Sequence, residues 1–138
     1  MIIVTQDNFS ADELVEKIKQ HYTGGVVTFR GVVRGESKGK EIERMTIEVY
    51  EEMAQKQLET IREEALDKFD VQEVAVIHRY GDFNVGDNIV LIAIAAGHRA
   101  EAFQACMYVI DELKIRVPIW KKEYTPDGEV WVEGERHE

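Results

Sequence analysis

One uninterrupted apolar segment, residues 89–96, restricts the folds open to this chain more than any other feature. Its eight residues, Ile-Val-Leu-Ile-Ala-Ile-Ala-Ala, carry no polar side chain on either face. The segment is too short to span a bilayer, which takes about 20 apolar residues. A strand that is apolar on both faces has to be covered on both faces. We therefore predict a central strand over residues 88–96, between two layers of other elements.

The first helix is predicted from its capping signals. Ser10 and Glu13 have the spacing of a capping box, and Phe9 and Leu14 have that of a hydrophobic staple. The helix is expected to begin there and to end before Gly24.

Further helices are predicted over residues 51–69 and 98–113, where apolar residues recur at helical spacing. Alternating or β-branched segments predict strands over residues 2–5, 25–34, 45–50, 74–80, 88–96, 119–124 and 129–132. Residues 35–40 are expected to form a loop, and residues 81–87 and 126–128 to form turns. The prediction is a single α+β domain, residues 1–138, with about three helices and a mainly antiparallel sheet.

Composition excludes several classes of function. The 138 residues include 27 Asp and Glu against 17 Lys and Arg, a formal net charge of −10. This charge repels nucleic-acid phosphates and anionic membrane surfaces, so neither is predicted as a partner. The single cysteine, Cys106, excludes an internal disulfide framework, and no His, Cys or carboxylate spacing indicates a metal site. The first four residues are too short for a secretory signal, so we expect a cytoplasmic protein.

Large apolar residues at helical or strand spacing are assigned to the core. Cys106 lies in the apolar stripe of the third predicted helix, so it is interpreted as a core residue and not as a nucleophile. The same interpretation is given to Phe29, Met45, Met53, Phe69, Phe103 and Met107.

Cations are concentrated in three places in this acidic chain. Nine of the 17 Lys and Arg residues lie within residues 30–40, at Arg99, or within residues 114–122. The last segment places four cations and Trp120 around Pro118, and it contains no acidic residue. This pattern indicates a site for a small anion, with separate solvated faces as the alternative.

Two pairs of residues in these cation-rich segments are candidates for ligand binding or catalysis. His98 and Arg99 follow the buried strand and begin a helix, where backbone N–H groups and the helix dipole attract phosphate or carboxylate. An ordinary strand-to-helix turn is the alternative for this pair. Lys114 and Lys121 are candidates for proton transfer or covalent chemistry, and exposed surface charge is the alternative. His78 and Arg79 end a strand with no helix after it, so this pair is interpreted as structural or as a site distant from the substrate.

Taken together, these segments resemble the family of large, catalytic subunits of molybdopterin synthase, the MoaE family, over residues 24–132. The matching motifs are Phe-Arg-Gly-Val-Val-Arg at 29–34, Val-Tyr-Glu-Glu-Met-Ala at 49–54, Ile-His-Arg-Tyr-Gly at 77–81, Gly-His-Arg-Ala-Glu-Ala-Phe at 97–103, Leu-Lys at 113–114, Pro-Ile-Trp-Lys-Lys-Glu at 118–123, Asp-Gly at 127–128 and Trp-Val at 131–132.

The resemblance implies an α/β-hammerhead fold and a sulfurtransferase of molybdenum cofactor biosynthesis. Such an enzyme converts cyclic pyranopterin monophosphate, also called precursor Z, to molybdopterin by two sulfur transfers. The sulfur comes from the thiocarboxylated C-terminal glycine of a small ubiquitin-like, MoaD-like subunit. Two large subunits are implied to form the central homodimer of a heterotetramer, and no metal or other cofactor is implied. The alternative functions are a non-catalytic binding module for a pterin or another phosphate ligand, and a purely structural homodimer.

The resemblance also implies residue roles. Lys114 and Lys121 are the implied catalytic residues, and His98 with Arg99 is implied to hold the phosphate region of the substrate. The implied substrate-binding residues are Val32, Val33, Arg34, His98, Arg99, Lys114, Lys121, Lys122 and Glu123. Arg116 and Arg136 are additional candidates, the latter because the basic residue of the family's terminal strand falls here on Glu135.

Overall fold

Two four-stranded sheets, a short hairpin and three helices make up residues 1–132, the part of the chain that this computed structural model describes. In chain order the elements are β1 (Ile2–Thr5), α1 (Ala11–Ile18), β2 (Gly25–Val32), β3 (Glu36–Ser37), β4 (Lys40–Glu41), β5 (Arg44–Val49), α2 (Glu51–Lys68), β6 (Glu73–Arg79), β7 (Gly81–Asn84), β8 (Asn88–Ala96), α3 (Arg99–Arg116), β9 (Ile119–Thr125) and β10 (Gly128–Trp131).

The first sheet has the strand order β1-β6-β8-β2, and the apolar segment of residues 89–96 lies inside it as predicted. Every side chain from Ile89 to Ala96 is buried. One face of β8 packs in the core formed with α2 and α3, and the other face packs in a smaller core with Leu14 and Ile18 of α1. Only the β1–β6 pair in this sheet is parallel, so the predicted α+β class with mainly antiparallel strands is confirmed.

The second sheet has the strand order β10-β9-β5-β7, and it corrects the prediction of turns over residues 81–87. Gly81 and Gly86 do have the positive φ angles of turn residues. Residues 81–84 between them form β7, which pairs with β5 and buries Phe83. The loop predicted over residues 35–40 contains the β3–β4 hairpin, closed by Lys38 and Gly39 with positive φ, as a two-residue hairpin turn requires.

The helices follow their predicted signals, with a longer third helix. Ser10 Oγ accepts a hydrogen bond from the Glu13 backbone N–H at 3.2 Å, which caps α1 as predicted. The α3 helix continues to Arg116, three residues beyond the predicted end. Val117, the residue before Pro118, has extended backbone, as expected where a following proline disfavours helix. Lys114 therefore lies in the last helical turn. None of the helices within residues 1–132 is long and apolar enough to cross a membrane.

Four of the large apolar residues assigned to the core are exposed, which is a correction to the prediction. Cys106 and Met45 are buried as expected. Phe103 and Met107 on α3, however, have 62% and 60% of their surface exposed. Phe29 and Met53 are exposed as well. Periodicity alone does not identify which apolar face of a helix packs inward when apolar residues surround much of it.

Candidate active site

A cavity of about 800 Å³ lies where the two sheets meet the C-terminal end of α3. Its walls come from the end of β2, from β6 and β8, from the last turns of α3, and from β5 and β9. Within residues 1–132, the charged and titratable side chains that line it are Arg30, Arg34, His78, Lys114, Lys121 and Glu123. We refer to this cavity as the cationic pocket, because four of these six groups are Lys or Arg.

The alternation of β9 sorts the cationic segment into two faces. Lys121 and Glu123 point into the cationic pocket, together with Ile119. Successive side chains of a strand point to opposite faces, so Trp120 and Lys122 lie on the other side of the sheet. Pro118 ends α3 directly before β9 begins, which brings Lys114 and Lys121 to the same cavity from two elements.

The end of β2 and the segment after it contribute one arginine each. The register between β2 and β8 shifts at Gly31 and Val32, with Ile89 of β8 as the additional residue. Since the extra residue is not on β2, Arg30 and Arg34 keep the same parity and both line the cationic pocket. The Arg34 Nη2 atom also donates a hydrogen bond to Ser37 Oγ at 3.2 Å, which holds the arginine beside the β3–β4 hairpin.

His78, which the sequence predicts to be structural or distant from the substrate, lines the cationic pocket from β6. It is 3% exposed, and its Nδ1 atom lies 2.9 Å from the backbone oxygen of Arg79. Burial lowers the pKa of His78 from 6.5 to about 4; the Arg79 carbonyl opposes this, and the positive charge of Lys121 adds to it. The ring is therefore neutral at neutral pH. Its place here depends on Lys121 and Glu123 of the second sheet lining the same cavity, an arrangement that no local sequence signal indicates.

The remaining predicted residues of this region lie elsewhere. Val33 is in the core, 1% exposed, and Lys122 faces Glu129 at 3.5 Å. Arg116 donates hydrogen bonds to Glu64 of α2 at 2.6 and 3.0 Å, and it does not line the cationic pocket. Of the implied substrate-binding residues, the pocket brings together Val32, Arg34, Lys114, Lys121 and Glu123. Arg136 and Glu135 lie outside the described residues.

His98 and Arg99 are at the opposite end of α3 from the cationic pocket. His98 is the N-cap residue, makes no side-chain capping hydrogen bond, and is exposed, as is Arg99. At 1.5 Å of rise per residue, Arg99 and Lys114 are separated by about 22 Å along the helix. Neither His98 nor Arg99 lines the cationic pocket. A single chain therefore does not bring the two predicted halves of the site into contact.

The electrostatics of the cationic pocket favour an anionic ligand. Among the described residues, four cationic groups line it against one carboxylate, that of Glu123, which is 7% exposed. Charged hydrogen bonds from Arg and Lys to phosphate or carboxylate are among the strongest in proteins. Within residues 1–132, no group of three or more His, Cys, Asp or Glu side chains is arranged to hold a metal ion.

Comparisons with known proteins agree on one family. The model of a family described as MoaE protein matches residues 4–116. A molybdopterin synthase catalytic subunit from Pyrococcus abyssi is 43% identical over 136 residues, which cover 99% of this chain and 92% of the relative. The crystal structure of molybdopterin synthase from Staphylococcus aureus matches with a TM-score of 0.88 at 35% identity, covering 96% of each chain.

A more distant structure shares the fold. One chain of the complex of subunits 1 and 2 of molybdopterin-converting factor from Helicobacter pylori matches with a TM-score of 0.78 at 22% identity. The match covers 97% of the present chain and 91% of that chain.

Proposed function

This chain belongs to the MoaE protein family, and we propose that the cationic pocket is the place where its chemistry occurs. Its function is that of the catalytic subunit of molybdopterin synthase. It is a sulfur-transferring enzyme of molybdenum cofactor biosynthesis. The observation that carries the placement of the activity is the convergence of four Lys and Arg side chains on one cavity, from β2, from the segment that follows it, from α3 and from β9.

The substrate that fits this proposal is cyclic pyranopterin monophosphate. A cavity of about 800 Å³ is within the range of roughly 300–1,000 Å³ that holds small ligands. The guanidinium groups of Arg30 and Arg34 at its rim suit a phosphate, which they can bind in a bidentate manner. The second anion is the thiocarboxylate at the C-terminal glycine of a small ubiquitin-like subunit, which we propose as the sulfur donor.

The proposed reaction uses the two lysines of the cationic pocket. The thiocarboxylate sulfur attacks a side-chain carbon of the pterin and forms a carbon–sulfur bond, while the bond from that carbon to its oxygen substituent breaks. The departing oxygen takes up a proton, and the donor subunit is then linked to the substrate. Water then attacks the glycine acyl carbon, breaks its bond to sulfur, and releases the donor as a carboxylate. Two such rounds give the dithiolene. Lys121 would orient the donor's tail, and Lys114 would transfer protons or stabilise developing negative charge. We propose that no metal or other cofactor takes part.

A second copy of this chain is the other proposed partner, because one chain leaves the predicted site divided. Phe103 and Met107 form an exposed apolar stripe between the two ends of α3. Two α3 helices that pack antiparallel along this stripe, across a twofold axis, would place the N-terminus of each beside the C-terminus of the other. His98 and Arg99 of one copy would then approach Lys114 of its neighbour.

The test is single-turnover sulfur transfer with the thiocarboxylated small subunit and cyclic pyranopterin monophosphate. Product is measured by mass spectrometry for the wild type, for Lys114→Ala, and for Lys122→Ala as the matched control outside the pocket. We expect Lys114→Ala to lower the rate by about 100-fold or more, as for loss of a proton-transfer group. Lys122→Ala should stay within a few-fold of the wild type.

Other outcomes would contradict specific parts of the proposal. No product from a folded, partner-bound wild type would reject the sulfur-transfer reaction and favour the binding module. Equal losses in Lys114→Ala and Lys122→Ala would reject the cationic pocket as the site. A Lys114→Ala variant that binds substrate more weakly but turns over normally once saturated would assign that lysine to binding only.

A further inference from the structure

We propose that His78 is a substrate-positioning residue, whose Nε2 atom accepts a hydrogen bond from an N–H or O–H group of the molecule bound in the cationic pocket. This inference rests on the proposed function of that pocket. The ligand it favours is a phosphorylated heterocycle with hydrogen-bond donors on its ring system, as opposed to a simple inorganic anion.

The tautomer of His78 follows from its single hydrogen bond. Nδ1 lies 2.9 Å from the backbone oxygen of Arg79. A carbonyl oxygen only accepts hydrogen bonds, so the hydrogen must be on Nδ1, and the neutral ring carries its lone pair on Nε2. The Arg79 guanidinium is bound to the backbone oxygens of Gln6 and Asn88, at 3.0 and 2.8 Å, and so is directed away from the imidazole.

Nε2 is accessible from the cavity and not sealed in the core. His78 lines the cationic pocket, and no other residue within 1–132 makes a hydrogen bond to its Nε2 atom. Among the same residues, no fully buried side-chain nitrogen or oxygen lacks a hydrogen-bond partner. The Nε2 atom is therefore reached from the cavity, where a ligand group can replace solvent.

The surroundings keep this acceptor neutral. The titratable and charged groups that line the same cavity are Arg30, Arg34, Lys114, Lys121 and Glu123. Burial of the ring disfavours its protonation, and the positive charge of Lys121 acts in the same direction. Together they lower the pKa of His78 to about 4, although the hydrogen bond to the Arg79 carbonyl acts to raise it. The lone pair is thus present throughout the physiological pH range.

An acceptor in this position adds selectivity that the cations cannot provide. Lys and Arg only donate hydrogen bonds, so they bind any anion of suitable size. Besides the Glu123 carboxylate, His78 Nε2 is the acceptor among the ring nitrogens and charged side chains that line the described cavity. A ligand without a donor leaves this acceptor desolvated and unpaired, which is how buried polar groups reject analogues.

The test compares two ligands with three variants. His78→Leu removes the acceptor, His78→Gln retains an amide oxygen able to accept, and Ile77→Val is a control on the same strand whose side chain packs against the α1 side of the sheet. Affinities for cyclic pyranopterin monophosphate and for sulfate, which only accepts hydrogen bonds, are measured by calorimetry. Thermal denaturation of each variant shows that it is folded.

We expect His78→Leu to weaken pterin binding by about tenfold or more, as an unmade hydrogen bond in a desolvated site does. His78→Gln should recover much of this loss, and sulfate affinity should be the same in all folded variants. Unchanged pterin affinity in His78→Leu, equal losses for sulfate and pterin, or failure of Gln to recover binding would each overturn the proposal. A wild type that binds the pterin selectively but forms no product would reject the sulfur-transfer function and leave the acceptor role standing.

Discussion

At the scale of single residues, the buried imidazole of His78 links protonation to stability. Its pKa is lowered from 6.5 to about 4 in the folded chain. The unfolded chain therefore binds more protons between these values, and the free energy of unfolding falls as the pH drops from 6.5 through about 4. Above pH 6.5 the contribution is constant. With 1.36 kcal/mol per pKa unit, the loss at pH 4.5 is about 2 kcal/mol.

Urea denaturation of the wild type and of His78→Leu, at pH 7 and at pH 4.5, measures this contribution. Carboxylates that titrate in the same range affect both proteins, so the difference between them isolates the imidazole. We expect the wild type to lose about 2 kcal/mol more than the variant on acidification. Parallel pH dependence in the two proteins would show that the folded chain does not disfavour the charged ring.

The sequence indicates some of the residues that form the cationic pocket, but it does not show which way their side chains face. The crowding of Lys114 and Lys121 around Pro118 predicted a cationic site, which is present as a cavity. Strand alternation predicts that Lys121 and Lys122 lie on opposite faces of β9. Only the fold shows that the Lys121 face is the one that lines the cavity. No sequence signal near His78 indicates that it faces the same cavity, because strands of both sheets line that cavity.

At the scale of elements, the start of β2 depends on close contact with the chain after β8. The Gly24 backbone N–H donates a hydrogen bond to the Ala96 oxygen at 2.9 Å. A Cβ atom on Gly24 would lie 2.3 Å from the Gly97 backbone oxygen, whereas a Cβ on Gly25 would meet no atom within 4 Å. Gly24 and Gly25, at the start of β2, therefore differ in how well they can accommodate an added methyl group.

We expect Gly24→Ala to lower the free energy of unfolding by about 2 kcal/mol, a typical cost of overpacking against atoms that cannot move freely. Gly25→Ala is the matched control, and its effect should be within about 0.5 kcal/mol. Urea denaturation curves of the two variants and the wild type give these values. Similar stability of the two variants would mean that the junction between β2 and β8 relaxes without cost.

Elements with local signals were predicted, and those formed by distant pairing were not. The apolar segment of β8, the Ser10 cap and the stop at Pro118 each lie within a few residues of what they determine. β7 has only four residues, and its strand character comes from pairing with β5. Phe103 and Met107 on the exposed side of α3 are predicted as core residues because helical spacing does not show which face of the helix the rest of the chain covers.

At the scale of the whole molecule, α3 acts as a rigid spacer between the two predicted halves of the site. His98 and Arg99 lie at its N-terminus, and Lys114 lies in its last turn, about 22 Å further along. The exposed Phe103 and Met107 lie between them. A twofold-symmetric dimer would explain both the exposed apolar stripe and the divided site. It would cover the stripe and would bring the N-terminus of one α3 beside the C-terminus of the other.

Mixing two inactive variants tests this arrangement. Lys114→Ala and Arg99→Ala damage opposite ends of α3, and each should be impaired as a pure protein. If each site combines Lys114 of one chain with Arg99 of the other, then a mixed dimer has one site with both substitutions and one intact site. Random re-pairing makes about half of the dimers mixed, so about a quarter of all sites should be active. Single-turnover product formation after co-refolding measures that fraction.

The same experiment separates a shared site from a site within one chain. If Lys114 and Arg99 of the same chain act together, every chain in the mixture still lacks one of them, and no activity returns at any mixing ratio. Mixing Lys114→Ala with Lys121→Ala is the matched control, because both side chains line one cationic pocket and cannot complement each other. Recovery in the first mixture and none in the second would require a catalytic unit of two chains, in which the length of α3 determines how far apart the two shared sites lie.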